Sequence, residues 1–248
     1  WHNGKSFLVT RKCETKEFRM MGVPPKFFEG TLLDCELVGN RMLVFDAARV
    51  CGEPCGHLTL WERQDLAKKW IKRCVRVKHD PWHISMKLHR PLTEEGVDEF
   101  VRYVNSTKCS WDIDGLIFTP VNETLGTGTQ KTMFKWKPLD LITIDFKVES
   151  SGREHEWKLF LQDKGALVWN TDVWSDSPLM KSGDIVEFRW DGAKWMPWRA
   201  RPDKTMPNGL FTYQRTVVNI KEDIGDDELL PALENSSLKI KYLKCNNQ

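Results

Sequence analysis

The hydrophobic pattern of the chain changes period several times, and each change marks an element. Asn3-Gly4 followed by the apolar run "SFLVT" is a two-residue hairpin signal, so residues 5–10 read as the second strand of a hairpin. Its first strand, on this reading, precedes Trp1. "FFEGTLLDCELV" and "NRMLVFDAARVCG" flank Gly39-Asn40, a second hairpin signature, and both read as central strands. In "WERQDLAKKWIKRCVRV" the apolar Leu66, Trp70, Ile71 and Cys74 recur near helical spacing, and "LTEEGVDEFVRYVN" opens on a Thr93 cap. Both read as amphipathic helices. Strands return at "DGLIFTPV" and "TMFKWKP".

From "LITIDFKVES" onward the texture is different. Short strands are cut by turns at "SSG" (150–152), "DKG" (163–165), "SGD" (182–184) and "DGAKW" (191–195), spacing that predicts a small antiparallel barrel. After Tyr213 the pattern is helical again in "DDELLPALEN", and "KIKYLKCNNQ" closes the chain with polar residues. The fold class is therefore α+β. A mixed domain occupies 1–146, a β-barrel 147–213, and a helical segment, 214–248, is expected to pack back on the first domain.

Composition narrows the class. Across 248 residues, 40% hydrophobic and 29% charged content is that of a globular chain with a sizeable core. The formal net charge is only +2, so a polyanionic partner has to be met by local clusters of cations. No run approaches the ~18 to 20 apolar residues of a membrane span, and the first residues lack the apolar core of a secretory signal. The expectation is a soluble, intracellular protein of cytoplasm or nucleus, with no membrane partner. Seven cysteines, odd in number and scattered, fit reduced thiols. In "CGEPCGH" a zinc site would need four ligands, and no second Cys/His pair follows Cys51, Cys55 and His57. The cluster reads as a turn with buried thiols.

One short stretch carries chemistry. In "MFKWKP" a strand sends Lys135 and Lys137 to the same face, where like charges repel unless an anion lies between them. Asp34 and Glu36 share a strand face, and Asp114 stands beside Gly115 at the mouth of another strand. Hard divalent cations take carboxylate oxygens and lysines neutralise phosphate, so this set suits a phosphate with a divalent metal.

"LLDCELV", "LVFDAARVCG", "DGLIFTPV", "MFKWKP" with "TIDFKV", and "RPDKTMPN" occur in an order and spacing that resembles the covalent nucleotidyltransferase superfamily. The chain looks most like its mRNA capping guanylyltransferases, and the compact layout is similar to those of large DNA viruses. The resemblance implies an ATP-grasp-like nucleotidyltransferase domain of mixed antiparallel sheets with helices, followed by an OB-fold barrel. It implies GTP as substrate with Mg or Mn, and transfer of GMP through a lysine adduct to the 5′-diphosphate end of RNA, forming the cap. Carried over by position, Arg11 and Glu36 would serve the ribose, Phe45 stack on guanine and Lys87 read the guanine edge. Glu36 and Asp114 would serve the metal, and Lys135 and Lys137 hold the phosphates. Arg201, Asp203 and Lys204 match a barrel motif that swings over the leaving pyrophosphate. An RNA triphosphatase and a cap methyltransferase, flanking or as partners, belong to the same expectation, as does a virion or host-cytoplasm location for a viral source.

Two departures stand out. Cys35 occupies a position where the family has glycine. The nucleophile motif, a lysine followed at the third and fourth positions by Asp-Gly, is not in the chain, and the attacking lysine is expected upstream of Trp1. Two other readings use the same residues: a nucleophile-less module that only binds a nucleotide or RNA cap, and an ATP-dependent polynucleotide ligase.

Overall fold

The computed structural model of the chain describes residues 1–10, 13–104, 106, 113–128, 130–225 and 228–229. Arg11, Cys109, Cys245, most of "DDELLPALEN" and all of "KIKYLKCNNQ" lie outside the described residues. The chain divides into two units, Trp1–Trp111 with Ile117–Phe134, and Asp112–Leu116 with Lys135–Gln248. Among the described residues no helix is long and apolar enough to cross a membrane.

In the first unit, Asn3 (φ 47°) and Gly4 (φ 76°) form the tight turn their identities favour, with His2 and Lys5 exchanging backbone hydrogen bonds. The chain continues through β1 (Ser6–Val9) and β2 (Thr15–Phe18), an antiparallel pair, to the hairpin of β3 (Leu32–Val38) and β4 (Arg41–Val50). A short β5 (Glu53–Pro54) follows the Cys51-Gly52 turn, where both Cys51 and Cys55 are buried. Next come α1 (Leu60–Ile71), β6 (His83–Met86) and α2 (Glu94–Val104).

β4 is the central strand and carries the core. Met42, Val44, Ala47 and Val50 pack with Phe27, Ala67, Ile71 and Ile84. β6 runs parallel to β4, pairing Met42 with Ile84 and Val44 with Met86, so this sheet is mixed rather than antiparallel throughout. A parallel return needs a crossover, and α1 lies within it. β3 is an edge strand and not the central one expected: Cys35 packs on the core while Asp34 and Glu36 are exposed.

Both helices have the caps that start them. The Thr59 side chain and Glu62 form a reciprocal capping box on α1, and Thr93 accepts the Gly96 N–H at 3.2 Å on α2. α1 ends well short of the expected Val77, because the backbone beyond it finds other partners. The Val75 N–H donates to the Gly22 carbonyl at 2.8 Å, and the Asp80 carboxylate accepts the N–H groups of Met21 and Gly22, each at 2.7 Å.

β7 (Leu116–Phe118) and β8 (Phe134–Trp136) form a two-stranded sheet. The second unit is built on β9 (Thr143–Ser150), β10 (Glu156–Asp163), β11 (Ala166–Trp174), β12 (Ile185–Trp190) and β13 (Trp195–Ala200). They form one antiparallel sheet in the order β11-β10-β9-β12-β13, with hairpin turns at 150–152, 163–165 and 191–195, while the turn at 182–184 leads from β11 across to β12, which pairs with β9. Among the described residues no ladder joins β11 to β13, so the expected barrel is seen as an open five-stranded sheet. Period-two alternation sends Ile144, Phe146 and Val148 into a core with Leu159, Leu161, Val186, Phe188 and Trp195. Thr143, Asp145 and Lys147 take the opposite face. α3 (Leu210–Glu222) sets Leu210, Tyr213 and Ile220 on the core of this sheet, and so begins before the boundary expected at 213.

Candidate functional site

In the first unit, Lys87 follows β6 and its backbone N–H donates to the Val44 carbonyl at 2.7 Å, which fixes the residue beside β4. Its ammonium donates to Glu36 Oε2 at 2.6 Å and lies 5.9 Å from the centre of the Phe45 ring. Glu36, Phe45 and Lys87 are thus brought together. A register shift explains the placement of Phe45: Asp34 faces Asp46 and Cys35 faces Val44, leaving Phe45 as the unpaired residue of a β-bulge. Bulges re-aim side chains, and Phe45 is half-buried, outside the core cluster that holds Val44. The Gln64 amide caps its freed carbonyl at 3.0 Å.

The same region holds a cavity of about 610 Å³. Its walls are α1 (Trp61, Gln64, Lys68), the segment from Met86 to Pro91, and α2 (Glu99, Tyr103). Arg90 donates to Glu99 at 2.6 Å along one wall, and burial lowers the pKa of His89 in another. The Lys87–Glu36 pair is 32% and 52% exposed, so its net strength is at most about 1 kcal/mol and it can yield to a ligand. Ser85 Oγ is buried two residues before Lys87 and lacks a hydrogen-bond partner among the described residues.

In the second unit, Lys135 and Lys137 both reach one oxygen of Asp114, at 3.1 and 2.7 Å from Oδ2. The anion that lets two lysines share a strand face is this carboxylate. Burial alone would raise the pKa of Asp114, but hydrogen bonding and charge from Lys137 and Lys135 bring it below its ordinary value. Gly115 makes the arrangement possible. Its φ is +151°, and a Cβ there would stand 2.1 Å from the Trp136 carbonyl oxygen. Trp136, between the lysines, is half-buried and donates its indole N–H to the Ile224 carbonyl at 2.8 Å.

A second cluster of the same unit holds the "RPDK" residues. Arg201 makes paired bonds to Asp203 at 3.0 and 2.9 Å and to both oxygens of Asp145 at 2.9 and 3.1 Å. Glu187 lies 3.5 Å from Arg201 and accepts from Arg199 at 2.5 Å and Thr143 at 2.6 Å. Lys204 stands 4.0 Å from Asp145. Burial, only partly offset by Arg201, raises the pKa of Asp145; the hydrogen bond from Arg201 lowers that of Asp203 to about 2. For Glu187 burial is outweighed by its bonds to Thr143 and Arg199, and the net shift is downward.

Several of these groups went unread in the sequence. Asp145 had a signal, a carboxylate inside the apolar alternation of "TIDFKV", whereas Glu187 and Ser85 had none stronger than their strands. Arg63 and Asp46, a buried bidentate pair at 2.7 and 2.9 Å, support the first unit from behind β4. Glu36 and Asp114, expected to share a metal, belong to different units, and among the described residues no three His, Cys, Asp or Glu side chains converge as a metal cluster. Two lone carboxylates are hard oxygen donors of the kind Mg takes together with substrate phosphates and water, so the donor chemistry fits such an ion.

The chain is thus an α+β protein in two units, with lysine–carboxylate contacts in each. The chain belongs to the mRNA capping enzyme family: it matches the family model of the capping enzyme catalytic domain over residues 2–139 and that of the capping enzyme C-terminal domain over 117–230. It is 27% identical over 224 residues to an mRNA-capping enzyme of Caenorhabditis elegans, covering 81% of this chain and 35% of that protein. Against those of Danio rerio and Mus musculus the identities are 25% and 23%, each covering 82% of this chain and 38% of the relative. The chain therefore spans little more than a third of the length of these relatives.

Proposed function

We propose that this chain is the GTP-binding and GMP-transferring part of an mRNA capping enzyme. The observation that carries the reading is the convergence of Lys135 and Lys137 on Asp114, two cations poised on one weakly held carboxylate. A triphosphate displaces such contacts readily, and the two ammonium groups then offset the charge that builds on the transferring phosphoryl. Glu36 and Asp114 would each offer a hard carboxylate oxygen to Mg or Mn, which would supply further charge neutralisation.

In the proposed reaction a deprotonated lysine amine attacks the α-phosphorus of GTP. A P–N bond forms as the P–O bond to pyrophosphate breaks; the terminal phosphate of an RNA 5′-diphosphate then attacks, and the P–N bond breaks. Phe45 stacks on the base and Lys87 reads its edge, with the unpartnered Ser85 hydroxyl close by in sequence. Arg11 and Glu36 serve the ribose. Arg201, Asp203 and Lys204 act on the leaving pyrophosphate, and the five-stranded sheet is an OB-fold, a barrel type that is partly open. A triphosphatase upstream in the reaction sequence and a cap methyltransferase downstream complete the proposed set of partners.

A second reading, a module that binds nucleotide or cap without transfer, uses the same lysine–carboxylate contacts. Incubating the full-length protein with α-labelled GTP or ATP and a divalent metal decides between them. Covalent GMP label supports capping, AMP label supports a ligase, and GTP binding without label supports the module.

A further inference from the structure

The chain carries almost no net charge, yet its cations are not evenly spread. Lys68, Lys69, Lys72, Arg73, Arg76 and Lys78 follow one another through the end of α1 and the loop after it, and all are exposed. Lys26 joins them: its ammonium stands 5.5 Å from the Trp70 ring, over which Arg73 also stacks at 4.4 Å. None of these cations has a carboxylate partner among the described residues. Asp80, the acid at the end of the loop, is committed to the backbone of Met21 and Gly22. That anchoring also holds the loop in place, because Gly22 approaches Val75 so closely that a Cβ would meet its carbonyl at 2.0 Å. Unpaired like charges on an ordered surface raise the energy of the free protein, and a polyanion relieves that repulsion.

We infer that this basic run binds the body of a single-stranded RNA whose 5′ end is the acceptor. RNA is favoured over other polyanions by two features. Aromatic and cationic groups are interleaved at Trp70, the combination that holds single strands by stacking and phosphate contact. Lys68 is both a member of the run and a wall of the 610 Å³ cavity that Lys87 also lines, with Trp61 and Tyr103 as further aromatic walls. The run is therefore continuous with the region assigned to the guanine. The inference rests on the proposed function for the identity of the acceptor, but its test does not need catalysis.

Binding of the 248-residue chain to 5′-diphosphate RNAs of about 4 and about 20 nucleotides is measured by fluorescence anisotropy over a salt series, where each single-strand phosphate contact contributes a slope of about 0.7. The K69Q/K72Q/R76Q variant changes exposed side chains only. It is expected to weaken binding of the long RNA about tenfold and to lower its salt slope by about 2, with little effect on the short RNA. A K16Q/K131Q/K164Q control, equal in charge and drawn from other exposed lysines, is expected to bind like the unaltered chain. Unchanged affinity and slope in the first variant overturn the inference, as does equal loss in the control. Loss of binding to a phosphorylated peptide with RNA binding intact overturns it in favour of a protein partner. Absence of GMP label on the full-length protein would sink the proposed function and leave the anisotropy result standing.

Discussion

Arg201 reaches both carboxylate oxygens of Asp145, at 2.9 and 3.1 Å, from the position immediately after β13. Asp145 is 5% exposed, so Arg201 is anchored to the sheet by a buried charge and grips Asp203 with its other guanidinium edge. Removing Asp145 leaves a nearly buried guanidinium short of a partner, whereas removing Asp203 takes away a solvent-screened one. Asp145→Ala is expected to cost about 3 kcal/mol in urea unfolding and Asp203→Ala much less. Equal costs would mean that Arg201 is not held from the sheet side.

Acid titration separates the same two residues. The folded pKa of Asp203 is about 2, depressed chiefly by the Arg201 hydrogen bond. A depressed carboxylate stabilises the fold above its unfolded pKa, about 3.9, and that contribution is lost as pH falls from there toward 2. Asp145 has the opposite sign: raised by burial, it makes the fold less stable as pH climbs through the ordinary carboxylate range. Urea midpoints recorded from pH 5 to 2 are expected to fall less steeply in Asp203→Asn than in the unaltered protein. An identical pH slope in the two proteins counts against the Arg201–Asp203 contact.

On the proposed reading, Lys87 is the group that tells guanine from adenine, since its ammonium can donate to the O6 acceptor that adenine lacks. A hydrogen bond from a charged donor contributes about 1.5 to 3 kcal/mol. Lys87→Ala is expected to reduce the preference for GTP over ATP about tenfold to a hundredfold in calorimetric titrations. A uniform loss of affinity for both nucleotides would instead place Lys87 on the phosphates.

How much of this was legible depends on the range of the interaction. Local signals read well: the Asn3-Gly4 turn, the Thr93 cap, the sheet hairpins and the shared face of Lys135 and Lys137 are all decided within a few residues. The end of α1 was not, because the apolar spacing of Leu66, Trp70, Ile71 and Cys74 is satisfied equally by a helix and by a docked loop. Only the close approach of Gly22, distant in sequence, ends it. The bulge at Phe45 is likewise a property of two strands in register. Asp145, Glu187 and Ser85 were missed for the same reason: a polar residue in a strand reads as solvent-facing until its partner, or the lack of one, is seen.

Gly115 ties backbone to chemistry at the two-lysine site. An alanine there would adopt a left-handed φ of +151° and drive its methyl group to 2.1 Å from the Trp136 carbonyl. Relief requires β7 and β8 to part, which carries Asp114 away from Lys135 and Lys137. Strain and overpacking together predict a loss of about 1 to 3 kcal/mol in stability for Gly115→Ala. GTP binding in the presence of Mg is expected to fall further than unfolding accounts for at temperatures where the variant is folded. Normal GTP affinity in that variant would remove Asp114 and its lysines from the phosphate site.

The buried pair behind β4 makes a prediction of a different form. Arg63 and Asp46 have side chains only 2% and 8% exposed, and their contact is bidentate. Removing one partner from such a pair costs about 3 to 5 kcal/mol, because the other charge stays buried and unpaired; replacing both by apolar residues is often close to neutral. Here the second rule should fail. Arg63 Nη1 also donates to the carbonyls of Leu58 at 2.5 Å and Glu123 at 2.9 Å, so it links the start of α1 to a second loop. An Asp46→Leu, Arg63→Met double variant neutralises the pair but leaves two carbonyls without their donor, at about 1 to 3 kcal/mol each where water does not reach. Urea unfolding is expected to rank Arg63→Met least stable and the double variant between it and the unaltered chain, with Asp46→Leu also strongly destabilised. Recovery of the double variant to the stability of the unaltered chain would show that Arg63 serves only Asp46 and that the loop at Glu123 is held by other contacts.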